Sequence, residues 1–127
     1  MLFRSEYKIY QQLLRADLNK FDYIIVSHTS PNRLYVTHHP VHANDLLHRN
    51  SDLIYTDLAE HVKTNAKLHS ILEYFEKFFD LDHAKFMHNL LCAEIDRHLQ
   101  GFAVPVLHIT NLDWQGLYEF PNMIHFD

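Results

Sequence analysis

A helical pattern occupies the middle of this chain, and strand-like stretches lie on both sides of it. Apolar residues recur at helical spacing in three segments between Asn50 and Gln100. A cap at Asp80 or Asp82 and a stop at Gly101 bound the last of these segments. Such a chain must pack helices against a small sheet, because neither kind of element buries its apolar face alone.

Strand signals precede and follow this helical region. Ser5 is a suitable N-cap for a first amphipathic helix that ends near Lys20. The stretches DYIIVSH and RLYVTHH come next, separated by TSPN, and they predict a hairpin. FAVPVLHIT, GLYEF and MIHF supply C-terminal strands. We therefore predict an α+β fold, in which a small and mainly antiparallel sheet, made of the N-terminal hairpin and the C-terminal strands, packs against three or four helices.

Length and composition indicate one compact domain over residues 1–127. The chain has 127 residues, of which 47% are hydrophobic, and it contains two glycines and four prolines. Its single cysteine, Cys92, cannot form an internal disulfide, and the N-terminal sequence lacks a signal-peptide pattern. The longest uncharged run, GFAVPVLHITNL, is too short to cross a bilayer. We expect a location in the cytoplasm of the producing cell or of its host, and no membrane partner.

The charge pattern argues against a nucleic-acid partner. The chain has 11 basic and 16 acidic residues, for a formal net charge of −5. Both signs are dispersed along the sequence, whereas non-specific nucleic-acid binding depends on clustered cations. The same dispersion argues against an acidic surface that mimics DNA.

Two histidine tripeptides provide an enzymatic alternative. VSHTS contains His28 and Ser30, and VLHIT contains His108 and Thr110; each tripeptide ends an apolar stretch. The pair resembles the two-histidine phosphoesterases over about six residues. The resemblance implies that one imidazole acts as general base, the other acts as general acid, and the hydroxyls hold the phosphate. Cyclic phosphates or short oligonucleotides would be the substrates.

A second alternative is a metal-assisted hydrolase. The chain contains 12 histidines, and four of them are concentrated between residues 38 and 48. Side chains on a strand alternate between faces, so His38 and His39 cannot both bind one ion. A set of four ligands for zinc or another divalent metal would be His39, His42, Asp45 and His48. Local histidine excess without a metal is the other interpretation.

One further pair has two interpretations. His88 and Cys92 lie four residues apart on the third helical segment, where an imidazole could activate the thiol. A free cysteine between apolar neighbours is more simply a small core residue.

The absence of a stronger catalytic pattern favours a protein-binding function. We predict a small module that inhibits or regulates a partner protein, without metal or cofactor, and immunity proteins and phage-encoded inhibitors of host defence are of similar size and composition. Trp114 and Tyr118 are the interface candidates, and core packing is the alternative for Trp114. A homodimer through Phe75, Phe78 and Phe79 is also open.

Overall fold

The described part of the molecule contains four α-helices and a three-stranded sheet. The computed structural model describes residues 5–36, 39–41, 43, 44, 46, 52–110 and 113–126. The helices are α1 (Glu6–Arg15), α2 (Tyr55–His61), α3 (His69–Lys77) and α4 (Leu81–Gln100). Short 3₁₀ turns cover Leu18–Lys20 and Ala66–Leu68. The strands are β1 (Ile24–Ser27), β2 (Val106–Thr110) and β3 (Met123–His125). The prediction of an α+β fold with three or four helices is confirmed.

The sheet is parallel, so the prediction of a mainly antiparallel sheet is wrong. Its strand order is β1-β2-β3, and β2 pairs with both neighbours in parallel. Parallel strands require a crossover connection rather than a tight turn. The helices α2, α3 and α4 all lie in the connection between β1 and β2. This connection brings the chain back to the end of the sheet where β1 begins, so that β2 runs in the same direction.

Among the described residues, the predicted N-terminal hairpin does not form. Its first half is β1, which pairs with β2 rather than with the stretch that follows Pro31. In that following stretch, Leu34 makes an isolated antiparallel bridge with Leu53, through N–H to carbonyl bonds of 2.8 and 3.0 Å. The reason is burial, since Val36 and Leu53 belong to a hydrophobic cluster with α2 and α3. Burying these side chains separates the second half of the expected hairpin from β1.

Two hydrophobic clusters hold the described elements together. The larger one joins α1, α4 and the sheet, with Leu13, Val26 and Ile95 among its buried members. The smaller one contains Val41 and Leu53 along with residues of α2 and α3. No described helix has the length and apolar character needed to cross a membrane. The larger cluster fixes the start of α1 and the middle of α4 beside the carboxyl end of β1.

Helix α4 begins at a capping contact that the sequence predicts. The side chain of Asp80 accepts a hydrogen bond from the His83 backbone N–H at 3.1 Å, and Gly101 follows the last helical residue. Ser5 caps α1 in the same way through the Lys8 N–H at 3.4 Å. The first helix ends at Arg15, earlier than the predicted end near Lys20, and a 3₁₀ turn follows.

Removing the α4 cap should destabilise the protein. We expect Asp80→Ala to lower the free energy of unfolding by about 1 kcal/mol, because the His83 N–H loses its acceptor. Urea denaturation followed by circular dichroism measures the change. The control is Asp22→Ala, at an exposed position outside the helices. A loss of the same size in both variants would contradict a capping role.

Candidate functional site

The two histidines of the tripeptide motifs meet in the structure. His28 follows β1 directly, and His108 is the third residue of β2. The His28 backbone N–H donates to the Ile109 carbonyl at 2.9 Å, which continues the pairing of the two strands. Nε2 of His28 lies 2.8 Å from Nδ1 of His108, across 80 residues of sequence. Parallel pairing of β1 with β2 thus places both imidazoles in hydrogen-bond contact.

A buried carboxylate continues this contact on the other side of His28. Glu6 is the first residue of α1, and 3% of its surface is exposed. Its Oε1 is hydrogen-bonded to Nδ1 of His28, and its Oε2 accepts the Thr29 backbone N–H at 3.1 Å. The arrangement is a connected chain of polar groups that runs from Glu6 through His28 to His108.

Helix α4 adds two more polar groups. Nε2 of His88 lies 2.8 Å from the Thr29 carbonyl oxygen, which can only accept, so Nε2 carries the proton. Nδ1 of His88 is then the acceptor for the Cys92 thiol, 3.6 Å away. His88 Nε2 also lies 3.8 Å from the Glu6 carboxylate. We use the name buried polar centre for Glu6, His28, His88, Cys92 and His108.

Aromatic rings enclose the buried polar centre. The Phe120 ring stacks on His28 at 4.2 Å and on His108 at 4.0 Å between centroids. Trp114 lies 5.7 Å from His28 and 5.3 Å from His88, also between ring centroids. His28 and His108 are 4% and 3% exposed. These imidazoles therefore lie in an apolar setting, which strengthens electrostatic interactions among them.

The two predicted interface residues are located beside this centre. Trp114 is 4% exposed and belongs to the larger hydrophobic cluster. Its indole N–H donates to the Tyr118 carbonyl at 2.6 Å, and the Tyr118 hydroxyl donates to Asp96 at 2.6 Å. The carboxylate raises the pKa of Tyr118 to about 12, because it favours the protonated hydroxyl. Trp114 is thus a core residue, which was one of the two alternatives from the sequence. A protein interface through Trp114 and Tyr118 stays a prediction.

Burial sets the protonation state of the centre. It lowers the pKa of His88, and it lowers the pKa of His108 to about 4 with a smaller contribution from neighbouring His28. Burial also raises the pKa of the Cys92 thiol, and the Glu6 charge adds to this effect. His88 and His108 are accordingly neutral near pH 7. Cys92 is protonated there, and a protonated thiol is a weak nucleophile.

A cleft of about 600 Å³ borders the buried polar centre. Its walls come from α1, the end of α3, α4 and the loop after β1. Polar residues in these walls include Glu6, Ser30, Arg33 and His88, and the other polar residues of the lining are Ser5, Asp80, His83 and Glu94. The rest of the lining is largely aromatic and aliphatic, including Tyr7, Tyr35, Tyr74, Phe79 and Leu91. The cleft lies at the carboxyl end of β1, the side of a parallel sheet where ligands bind.

The hydroxyl partners of the two motif histidines lie in different environments. Ser30 lines the cleft, and its Oγ accepts the Asn32 backbone N–H at 3.0 Å. Thr110 is the last residue of β2, is 1% exposed, and is not among the cleft residues. The structure therefore brings His28 and His108 together without bringing both hydroxyls to one ligand site.

The predicted histidine cluster is outside most of the described chain. His39 is half-buried, whereas His42, Asp45 and His48 are not among the described residues. Within the described residues, one group could hold a metal ion, and its members are Glu6, His28 and Cys92. One donor atom from each member lies within 4.8 Å of the others.

Sequence reasoning missed Glu6. The signal was its position, three residues before Ile9 and seven before Leu13, which places a carboxylate on the apolar face of α1. A charged residue on a buried helix face requires a partner, and a partner search would have led to the histidines.

Comparison with protein-family models, with curated proteins and with solved structures finds no match to this chain.

Proposed function

We propose that this protein is a hydrolase of small esters or phosphoesters, which bind in the cleft beside the buried polar centre. The observation that carries the proposal is the contact between His28 and His108, whose nitrogens lie 2.8 Å apart although 80 residues separate them. The Glu6 carboxylate is hydrogen-bonded to the other ring nitrogen of His28, and Glu6 also lines the cleft. Convergent titratable groups beside a concave site are typical of active sites.

The cleft suits a small substrate. A volume of about 600 Å³ falls within the range of small-molecule sites, roughly 300–1,000 Å³. Tyr35 and Tyr74 supply apolar surface for the body of a substrate, and the Arg33 guanidinium is the cation in the wall. The Arg33 Nε–H donates to the Thr29 hydroxyl at 2.5 Å, which orients the guanidinium group. This cation would attract a carboxylate or phosphate group on the substrate.

Hydrolysis needs a group that activates water. The water oxygen bonds to the carbonyl carbon or phosphorus of the substrate, and the bond from that atom to the leaving oxygen breaks. One water proton ends on the leaving oxygen and the other passes to the solvent. Carboxylate and neutral imidazole side chains meet in the buried polar centre, and either type can bind such a water or remove its proton. Glu6 and His88 are the members of the centre that reach the cleft wall.

The proposed arrangement differs from the one implied by the two-histidine phosphoesterases. Those enzymes are expected to hold a phosphodiester between two separate imidazoles. Here Nε2 of His28 contacts Nδ1 of His108 at 2.8 Å, so no substrate group fits between these atoms. We therefore assign the two histidines one joint role, which is to support Glu6 at the cleft wall.

The test is an activity screen with a variant of Glu6. Chromogenic acetate, butyrate, phosphate monoester and phosphodiester substrates are incubated with wild type and with Glu6→Gln. We expect turnover of at least one substrate class by wild type and a loss of about 100-fold in kcat/KM for Glu6→Gln, because a neutral amide cannot act as a general base. Glutamine keeps the size of the side chain, and circular dichroism verifies folding.

The matched control is Glu73→Gln on α3. Glu73 is exposed, pairs with Lys77 at 2.6 Å and does not line the cleft. We expect its activity to equal that of wild type. Turnover that survives in Glu6→Gln, or the absence of turnover for all four substrate classes, would contradict the proposal.

A second candidate is the binding of a partner protein, and an apolar surface favours it. Large side chains are exposed at the end of α3 and along α4: Phe78 is 72%, Phe86 60%, Leu90 52% and Met87 50% exposed. Several large apolar side chains exposed on one surface indicate an interaction site, whereas a single exposed apolar side chain is common in any protein. Phe78 belongs to the predicted homodimer face, whereas Phe75 packs into the smaller hydrophobic cluster.

Sedimentation velocity tests whether this apolar surface mediates self-association. Phe86 does not line the cleft, so Phe86→Glu should leave the hydrolase activity intact. We expect wild type to self-associate as its concentration rises and Phe86→Glu to remain monomeric, because a buried carboxylate disfavours an apolar contact. Identical sedimentation of the two proteins as monomers would argue against self-association through this surface.

A further inference from the structure

We propose that Glu6, His28 and Cys92 form a binding site for a divalent transition-metal ion, with zinc as the best match. The inference deepens the proposed hydrolase function, and its catalytic part rests on that function. All three side chains come from different elements: the start of α1, the end of β1 and the middle of α4. The fold, rather than a local sequence motif, creates the site.

The distances between donor atoms suit a small ion. One carboxylate oxygen, one imidazole nitrogen and the thiol sulfur lie within 4.8 Å of one another. Around tetrahedral zinc, donors stand roughly 3.3–3.6 Å apart, given bond lengths of about 2.0–2.3 Å. Side-chain adjustments of about 1 Å would close the set onto an ion.

The groups around these ligands match the outer shell of a metal site. A histidine ligand usually engages its second nitrogen in a hydrogen bond that fixes the ring. His108 holds Nε2 of His28 at 2.8 Å, which leaves Nδ1 directed toward Glu6. The second oxygen of Glu6 accepts the Thr29 N–H at 3.1 Å, so the carboxylate is also oriented. Both oxygen and nitrogen donors are thus held in place before an ion arrives.

Charge provides an independent argument. Glu6 is 3% exposed, and the described side chains nearest its carboxylate oxygens are the imidazoles of His28 and of His88, which is neutral near pH 7. Burying a carboxylate without a compensating cation is costly. A divalent ion at this point would offset the carboxylate charge and would take the Cys92 sulfur as a thiolate ligand.

The donor types select the ion and its role. A thiolate with an imidazole favours zinc or cobalt over magnesium and calcium, which prefer oxygen ligands. Three protein ligands leave one tetrahedral position open, as in catalytic zinc sites. Glu6 lines the cleft, so the open position is adjacent to the proposed substrate site. An ion held there would lower the pKa of a water molecule. The hydroxide would add to the carbonyl carbon or phosphorus of the substrate while the bond to the leaving oxygen breaks, and that oxygen takes a proton from the solvent.

Cobalt substitution reports this site specifically. Cys92 is the single cysteine of the chain, so a thiolate-to-cobalt charge-transfer band arises from no other residue. The metal-free protein is prepared with a chelator and titrated with Co²⁺, and the bound Co²⁺ is then displaced with Zn²⁺. We expect the band to saturate at one equivalent. Cys92→Ser should lack the band, and Glu6→Gln should bind about 100-fold more weakly, because each loses one ligand.

The control variant is His83→Gln, which removes an exposed imidazole at the cleft wall outside the three ligands. It should keep the band and the affinity of wild type. Absence of the band in wild type, or Zn²⁺ binding that is as tight in Cys92→Ser as in wild type, would overturn the metal site. Circular dichroism of each chelated variant ensures that loss of binding does not reflect unfolding.

The outcome separates the metal site from the hydrolase function. A saturable cobalt band without turnover of any ester or phosphoester would support the metal site and contradict the hydrolase. Turnover that survives complete chelation, together with no cobalt band, would support the hydrolase and overturn the metal site.

Discussion

Truncation of Phe120 to alanine should lower the free energy of unfolding by about 3–4 kcal/mol. Phe120 is 5% exposed, and its ring stacks on both motif histidines at centroid distances of 4.2 and 4.0 Å. Alanine would remove these contacts along with the edge contact to Tyr118 at 4.9 Å, and it would leave a cavity against polar rings. Urea denaturation at neutral pH measures the loss.

A conservative variant and an exposed control test the origin of this effect. Phe120→Leu should lose about half as much stability, because leucine refills much of the volume. Phe126→Ala, at a site that is 53% exposed, should change stability by less than about 0.5 kcal/mol. Equal stability of Phe120→Ala and wild type would show that the ring does not cover the histidines in solution.

The resemblance to the two-histidine phosphoesterases, which was an alternative at the level of the sequence, implied that His28 and His108 share one site. The structure brings the two imidazoles into contact, with His28 directly after β1 and His108 on β2. The strands do pair as neighbours, with Val26 opposite His108. The direction of pairing and the 2.8 Å contact between the rings could not follow from the tripeptides, because they depend on the path of the intervening chain.

The wrong prediction of an antiparallel sheet arose from the path of the chain between β1 and β2. The turn signal at Pro31 and Asn32 is local, and the structure does form a turn there. Yet the stretch after the turn packs Val36 against α2 and α3 instead of pairing with β1. The long helical region was the better signal, since a strand, several helices and another strand commonly form a parallel crossover.

The cleft and the proposed metal ligands could not be predicted from the sequence pattern. Glu6, His28 and Cys92 are spread over more than eighty residues, and no spacing rule connects them. The sequence did place Cys92 and His88 on one face of a helix, and their contact at 3.6 Å agrees with this. It could not show that α1 presents a carboxylate to the same point, because helix packing determines that contact.

The metal-free protein should lose stability in acid because its imidazoles are buried. The pKa of His108 is about 4 in the folded protein against an ordinary value of 6.5, chiefly through burial and then through His28. Asp96 on α4 opposes this shift without cancelling it. Between pH 6.5 and 4 the unfolded chain therefore binds a proton that the folded protein does not, so acid favours unfolding. Above pH 6.5 the effect is absent, and below pH 4 it is complete.

The expected loss through His108 is about 2–3 kcal/mol, at about 1.4 kcal/mol per pKa unit with a reduction for residual solvent screening. His88 adds to it, because burial lowers its pKa as well. Urea denaturation in chelator between pH 7 and 4 measures the slope. His108→Gln should make the slope shallower by the His108 share and leave the His88 contribution, since glutamine does not titrate, whereas exposed His69→Gln should retain the wild-type slope. Equal slopes for wild type and His108→Gln would mean that His108 is accessible to protons in the folded state, which would contradict the enclosure of the centre by Phe120.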